Sequence, residues 1–256
     1  MDWGLRRKLV YALAVTVALS AFAVFLLRDT LFPAPTCVDQ KKNGYEFGID
    51  CGGTCALKCT QEVNPLVVVW AKVIPSGLGV YDIVAMINNS NIDNASQEIG
   101  FSFTLYDEQG TTTATFFGST TAPLAGKFPV IIQNVPLEKA PKEVVASLSD
   151  GPHYTVRESP SSPTVRIVNR RYEQDSISRV YATARNTKQV EINNLPVRVV
   201  LFDTKDNAYA VGQTIVPRIV KEGVAEIVFT WNDVLSAPPA RIEVYPIFDP
   251  FKAIGY

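Results

Sequence analysis

The chain has 256 residues, with 24 Lys plus Arg against 25 Asp plus Glu, a formal net charge of −1, and a single His at position 153. That balance argues against a nucleic-acid binder, which needs a basic stripe, and one imidazole argues against a His-centred metal site or a Ser-His-Asp triad. With 47% hydrophobic and 19% charged residues, the chain is not disordered as a whole and is long enough for about two domains.

The first element is Leu9 to Leu27, LVYALAVTVALSAFAVFLL, which is 19 residues without a charge, Gly or Pro. As a helix rising about 1.5 Å per residue it spans roughly 28 Å, close to the roughly 30 Å of a bilayer's hydrocarbon layer. Arg6, Arg7 and Lys8 precede it, whereas Arg28 and Asp29 behind it cancel. The positive-inside bias therefore keeps residues 1–8 in the cytoplasm, makes 9–27 the transmembrane helix, and puts the bulk of the chain outside. Ala21-Phe22-Ala23 has the small-x-small form of a cleavage site. The apolar run continues past it through Val24-Phe25-Leu26-Leu27, which favours an uncleaved signal anchor. Trp3 stands where an interfacial anchor belongs.

Residues 28–64 contain all four cysteines, Cys37, Cys51, Cys55 and Cys59. An even number outside the membrane reads as a small disulfide-stapled stalk module, with three pairings open to it. Asp39, Asn43, Glu46 and Asp50 are interleaved with Gly44, Gly48, Gly52 and Gly53. Oxygen ligands on a glycine-rich loop can converge on calcium, although the spacing is not that of an EF-hand. Solvated turn residues in a stapled spacer are the plainer alternative, and a four-cysteine zinc site a third. The run Cys37-x-Asp39, Asn43-Gly44-x-Glu46-x-Gly48-x-Asp50-Cys51-Gly52-Gly53-x-Cys55-x-x-x-Cys59 resembles a cysteine motif of bacterial surface and secreted proteins, with Gln40 and Phe47 departing from its usual Gly and Thr and one extra residue before Cys59. The resemblance implies a cell-surface setting and no activity.

From Leu66 the chain turns to short runs of Val, Ile, Thr, Phe and Tyr broken by Gly, Pro, Asn and Asp, the pattern of an all-β ectodomain. The predicted strands are Leu66–Ile74, Val80–Asn88, Ile99–Asp107, Thr112–Phe117, Phe128–Gln133 and Glu143–Leu148. A second series follows at Thr164–Arg170, Ile177–Arg185, Leu195–Asp203, Ala208–Val216, Val224–Trp231 and Arg241–Phe248. Asn89 matches Asn186, Asp107 matches Asp203 and Ala140-Pro141 matches Ala237-Pro238 at almost constant offset. This is an internal duplication whose unit is the size of a complete β-sandwich. We therefore expect sandwiches over 65–150 and 164–250, a Pro/Ser/Gly-rich linker over 151–163, and a tail over 251–256. Phe101, Phe103 and Leu105 should face a core while Ser102 and Thr104 face away. Asp107 and Asp203, at strand ends, should cap turns.

Phe103-Thr104-Leu105-Tyr106-Asp107 matches the signature of the FxLYD domain family of prokaryotic envelope proteins, and Val199-Val200-Leu201-Phe202-Asp203 is similar in degenerate form. The resemblance implies tandem immunoglobulin-like sandwiches and carries no activity with it.

For chemistry the sequence offers little. No Ser or Thr has a partner base, and neither a Gly-x-Ser-x-Gly, a phosphate loop nor a dinucleotide fingerprint occurs. His153 reads as an exposed linker residue. Arg166, Arg170, Arg179 and Arg185, with Arg171 among them, gather at the start of the second repeat. If their strands are neighbours, alternation sets several guanidiniums on one face, able to meet an anionic polymer or acidic partner. The alternative is a solvated sheet balanced by Glu173 and Asp175. Trp231 and Tyr245 to Phe248, with Phe251 and Tyr256, read as core packing or a docking surface. The function expected is that of a membrane-anchored envelope binding or adaptor protein, not an enzyme, with a protein or glycan partner and no cofactor unless calcium. A structural spacer, and a calcium or ligand sensor working through the cysteine module, are the alternatives.

Overall fold

The computed structural model describes residues 3–27, 37–92, 94–149, 151, 153–155 and 165–249. The expected linker beyond 155, the residues Arg28 and Asp29, and the tail with Phe251 and Tyr256 lie outside these. Two compact units divide the chain, Met1–Cys55 and Ala56–Tyr256, so the border falls inside the stalk segment expected over 28–64.

In the first unit α1 (Trp3–Leu26) is 24 residues long and starts upstream of the apolar run, taking in Arg6, Arg7 and Lys8. Within its stretch from Arg6 to Leu26 an 18-residue window reaches a mean hydropathy of 2.4, long and apolar enough to cross a bilayer and equally the mark of a signal sequence. Two hydroxyls within it are satisfied locally, Thr16 Oγ1 donating to the Ala12 carbonyl at 2.9 Å and Ser20 Oγ to the Thr16 carbonyl at 2.8 Å. Such back-bonding lets a hydroxyl sit on an apolar helix without an orphaned donor. The Arg7 guanidinium stacks over the Trp3 ring at 4.3 Å.

The second unit is all-β. Its strands are β1 (Val67–Gly77), β2 (Val80–Asn89), β3 (Asn94–Tyr106), β4 (Thr112–Ala122), β5 (Gly126–Pro136), β6 (Glu143–Leu148), β7 (His153–Thr155), β8 (Val165–Gln174), β9 (Ser178–Asn186), β10 (Ile192–Phe202), β11 (Ala208–Ile219), β12 (Val224–Trp231) and β13 (Arg241–Pro246). Every predicted strand is present. The short β7, in the segment read as linker, pairs with the start of β3 and belongs to the first sandwich.

Each copy is an antiparallel sandwich of two sheets, three strands on three in the second copy and three on four in the first, where β7 extends the sheet beside β3. The first sets β1-β2-β5 against β4-β3-β6, and the second sets β8-β9-β12 against β11-β10-β13. The duplication extends to the irregularities. A register shift at Val68/Trp70 recurs at Ile167/Asn169, and one at Leu105/Tyr106 recurs at Leu201/Phe202. Alternation fills the first core with Ile83, Ala85 and Ile87 facing Phe101, Phe103 and Leu105, and the second with Val180, Ala182 and Ala184 facing Val197, Val199 and Leu201. Asn89 and Asn186 are buried and clasp equivalent corners. Asn89 Nδ2 donates to the Asn94 and Pro123 carbonyls, and Asn186 Nδ2 to those of Val190 and Val220. Asp107 and Asp203 cap their turns as expected, each taking two backbone N–H groups on one carboxylate oxygen.

The two sandwiches share a third apolar cluster. Ile74, Val84, Met86 and Ile131 on the outer face of β1-β2-β5 meet Val200, Phe202, Ala208 and Val211 on β10 and β11. Strands β2 and β10 are thus apolar on both faces, as sheets covered on both sides require. Polar bonds fringe the joint, with Lys72 Nζ donating to the Ala208 carbonyl at 2.8 Å and Arg198 Nη1 to the Pro129 carbonyl at 2.5 Å. Four sheets are therefore stacked, about 30 Å from first to last at about 10 Å per layer. The joint is head-to-tail: the first copy contributes its β1-β2-β5 sheet, the second the counterpart of the first copy's β4-β3-β6.

Candidate functional site

The outermost sheet of the second sandwich, β8-β9-β12, turns its uncovered face away from both cores. Opposite residues in the ladder share a face, so the register sets Arg166 beside Arg185, Arg171 beside Tyr181, and Glu173 beside Arg179. On the other flank of β9, Glu226 stands by Thr183 and Val228 by Tyr181. Three of the four arginines expected to converge do so, namely Arg166, Arg179 and Arg185. Arg170 does not: it stands opposite Ala182, a core residue. The physical reason is the bulge at Val168, which inserts one residue and inverts the inside/outside parity of the rest of β8. The same inversion brings Arg171 onto the face in its place, a residue that simple alternation assigns to the inside.

Charges on this face are partly compensated. Arg171 lies 3.1 Å from Glu173 and 3.3 Å from Glu226, with its guanidinium 4.1 Å from the Tyr181 ring centroid, and Arg179 lies 3.4 Å from Asp175. These are exposed pairs, individually worth about 0–1 kcal/mol. Arg166 and Arg185 differ: they are directly opposed, and among the described residues no carboxylate pairs with either. Like charges opposed across a ladder are destabilising.

The cysteine module forms a disulfide between Cys37 and Cys55, with Cα atoms 5.7 Å apart. Cys51 and Cys59 are disulfide-bonded too, so the four sulfurs are not thiolate ligands and the zinc alternative has no donors. Glu46 sits by the sulfurs of Cys37 and Cys55, but disulfide sulfur does not supply the charge a metal site needs. The candidate calcium ligands Asp39, Asn43, Glu46 and Asp50 are brought together; the three carboxylates are engaged with backbone N–H groups, while Asn43 Oδ1 is buried without a hydrogen bond among the described residues. Asp50 takes the Asp39 and Gln40 N–H groups on its two oxygens, Asp39 takes the Lys41 N–H and the Asn43 amide, and Glu46 takes the Asn43 N–H. Gly53 is demanded by the chain path. Its φ is +58°, and a Cβ there would come within 1.7 Å of the Tyr45 carbonyl oxygen.

His153 is buried, 7% exposed, and its carbonyl accepts the Lys58 N–H at 2.9 Å. The exposed linker position expected for it is thus corrected: as part of β7 it ties residue 58 to the first sandwich. The aromatics of the second copy mostly serve its core. Trp231 and Phe248 pack against it, and the Trp231 indole N–H donates to the Val211 carbonyl at 3.0 Å.

Two clefts flank the joint. One, of about 450 Å³, is lined by Lys72, Asp82, Tyr209, Trp231, Asp233 and Leu235. In it burial pushes the Asp82 carboxyl above its ordinary range, against a backbone hydrogen bond from Asn134 at 2.9 Å. The other, of about 240 Å³, adjoins Arg198.

No protein-family model matches the chain, and no curated protein does. Among solved structures it is similar to red sea bream transglutaminase, at 8% identity and a TM-score of 0.22, over 69% of this chain and 29% of that one. The chain thus spans less than a third of that protein's length, and the likeness is too slight to carry an argument.

Proposed function

We propose that this chain is a single-pass membrane protein of the cell envelope, with residues 1–8 in the cytoplasm. Its two fused sandwiches, of the FxLYD type, stand outside and bind an anionic partner on the β8-β9-β12 face. The opposed Arg166 and Arg185 carry the proposal. A charge repulsion maintained on an otherwise ion-paired sheet is relieved when a partner's anion bridges the two guanidiniums. Arg171 stacked on Tyr181 adds a planar, partly apolar surface suited to a polymer or peptide. No catalytic role is proposed.

The opposite end of the stack is the built-in control. A photoreactive residue replacing Tyr181 should form partner adducts in cells. One replacing Phe117, exposed on the outer face of β4, should not. The double variant Arg166→Glu, Arg185→Glu should abolish the Tyr181 adducts. Adducts of equal yield from both ends, or adducts indifferent to the charge reversal, would overturn the binding reading. A second reading, a spacer that sets a fixed distance from the bilayer, is favoured by the apolar joint between the sandwiches. It becomes the better account if neither end captures a partner.

A further inference from the structure

Arg198 stands on the outer face of β10, turned into the edge of the joint between the sandwiches. Its Nη1 donates to the Pro129 carbonyl at 2.5 Å and its Nη2 to Thr120 Oγ1 at 3.2 Å. A guanidinium has five N–H donors, so these two bonds fix its plane and leave one edge uncommitted. Burial pushes its pKa down to about 10, and the group is still a full cation at neutral pH. Among the described residues no carboxylate forms an ion pair with it. On its own sheet face Glu243 of β13 is already bonded to Arg241 and Tyr245. A half-buried guanidinium with no carboxylate ion-paired to it is a ready seat for an anion.

The cavity beside it explains the arrangement. It measures about 240 Å³ and is lined by Ser119, Thr120 and Thr121 of β4 on one side and by Asn193, Asn194 and Arg198 of β10 on the other. Hydroxyls and amides around one guanidinium can surround an oxyanion. Asp249 is the acid on the lining and is itself engaged with another group. The volume falls below the roughly 300–1,000 Å³ of pockets for drug-sized ligands, so the occupant is small or the end of something larger.

We infer that this cavity is an oxyanion-binding site, taking a carboxylate or phosphate group onto the free edge of Arg198 at the junction of the two sandwiches. It is separate from the β8-β9-β12 face, which lies on the far side of the second core. Occupancy would set an anion between β4 of the first sandwich and β10 of the second, and so tighten their joint.

The test uses the full chain in phosphate-free maltoside micelles, titrated calorimetrically with sodium phosphate and with sodium acetate against sodium chloride at equal ionic strength. Saturable one-site binding of phosphate, of acetate or of both is expected, and the two arms tell a phosphoryl group from a carboxylate. Arg198→Gln should weaken binding about ten- to a hundredfold, the loss expected for a charge-assisted hydrogen-bond pair. Arg198→Lys, which keeps the cation, should recover part of that affinity, an outcome that misfolding does not produce. The Arg166→Glu, Arg185→Glu variant should bind as the unaltered chain does. A response no different from chloride, or unchanged affinity in Arg198→Gln, would overturn the inference. So would loss of binding in the Arg166, Arg185 variant, which would seat the anion on the outer face instead.

Discussion

Val84 offers the sharpest test of the stacked architecture, because the duplication supplies its own control. It is fully buried in the joint, whereas its counterpart in the second copy, Tyr181, lies on the uncovered face of β9. Val84→Ala removes two carbons, about 1.6 kcal/mol at about 0.8 per methylene, and leaves a cavity that brings the cost to about 2–3 kcal/mol. For a folding unit of this size that is a fall in Tm of roughly 4–12 °C. Tyr181→Ala gives up a partly exposed stack on Arg171 and should cost about 1 kcal/mol or less. Val84→Asp places a carboxylate in the apolar joint two residues from buried Asp82, at a cost of several kcal/mol, enough to separate the two sandwiches' unfolding. The chain contains its own reporters. In a Trp3→Phe background, Trp70 packs against the joint and Trp231 against the second core, so variants keeping one or the other report each sandwich by fluorescence during urea unfolding. Coincident transitions are expected in the unaltered chain and separate ones in Val84→Asp. Separate transitions in the unaltered chain, or a Val84→Ala cost no larger than that of Tyr181→Ala, would refute a joint that holds the sandwiches together.

Gly53→Ala should prevent closure of the cysteine loop, since its Cβ would fall on the Tyr45 carbonyl, and thiol titration should then find free cysteines; a fully oxidised variant of unchanged Tm would contradict the chain path. Asp203 and Asp82 should respond to pH in opposite senses. Hydrogen bonds from Asn207 first, and then Lys205, hold the Asp203 carboxyl below its ordinary value. Its stabilisation is therefore present above the unfolded carboxylate range and is lost as pH falls through the lowered value, so Asp203→Ala should lower Tm at pH 7 and make no difference in strong acid. Burial raises the Asp82 carboxyl, which costs stability as pH rises from the unfolded value through the raised one. Asp82→Asn should raise Tm at pH 7 and lose that advantage on acidification, and identical pH profiles for the two variants would remove the argument for both.

The alternation of apolar residues specified the two cores and every strand but β7, because a half-covered sheet leaves a period of two that single residues reveal. Less was legible where one residue changes parity. The bulge at Val168 moved Arg170 off the candidate face and Arg171 onto it, and nothing in VRIVNRR marks which residue is extra. Strand β7 was hidden because three residues after a Gly and a Pro carry no periodicity. The joint between the sandwiches was encoded and is readable by comparing copies. Val84 and Met86 of β2 correspond to Tyr181 and Thr183 of β9, and Val200 and Phe202 of β10 correspond to Thr104 and Tyr106 of β3. Positions that are apolar in one copy and polar in the other, on the face away from the core, are those covered by the neighbouring domain. The pairing of Cys37 with Cys55 depended on backbone turns at Gly44, Gly52 and Gly53, all at positive φ, and composition does not contain that path.

The head-to-tail joint also explains where binding can reside. An interface between non-equivalent faces does not close on itself, and a third copy or a second chain would add to either end if the end faces resembled the joint. They do not. Where the joint has Val84, Met86 and Ile131, the free face of the second copy has Tyr181, Thr183 and Val228 among Arg171, Glu173 and Arg179. Where the joint has Val200 and Phe202, the free face of the first copy has Thr104 and Tyr106 beside Ser102. Stacking another sandwich on either end would bury hydroxyls or ion pairs along with scattered apolar residues such as Phe117 and Val228, a poorer return than the joint gives, as with the polar outer faces of a solenoid's capping repeats. Duplication thus consumed one face of each copy in holding the pair together and left the other two free to diverge. One became rich in Thr and Ser, the other in Arg, and a repulsive pair such as Arg166 and Arg185 contributes nothing to the fold it stands on.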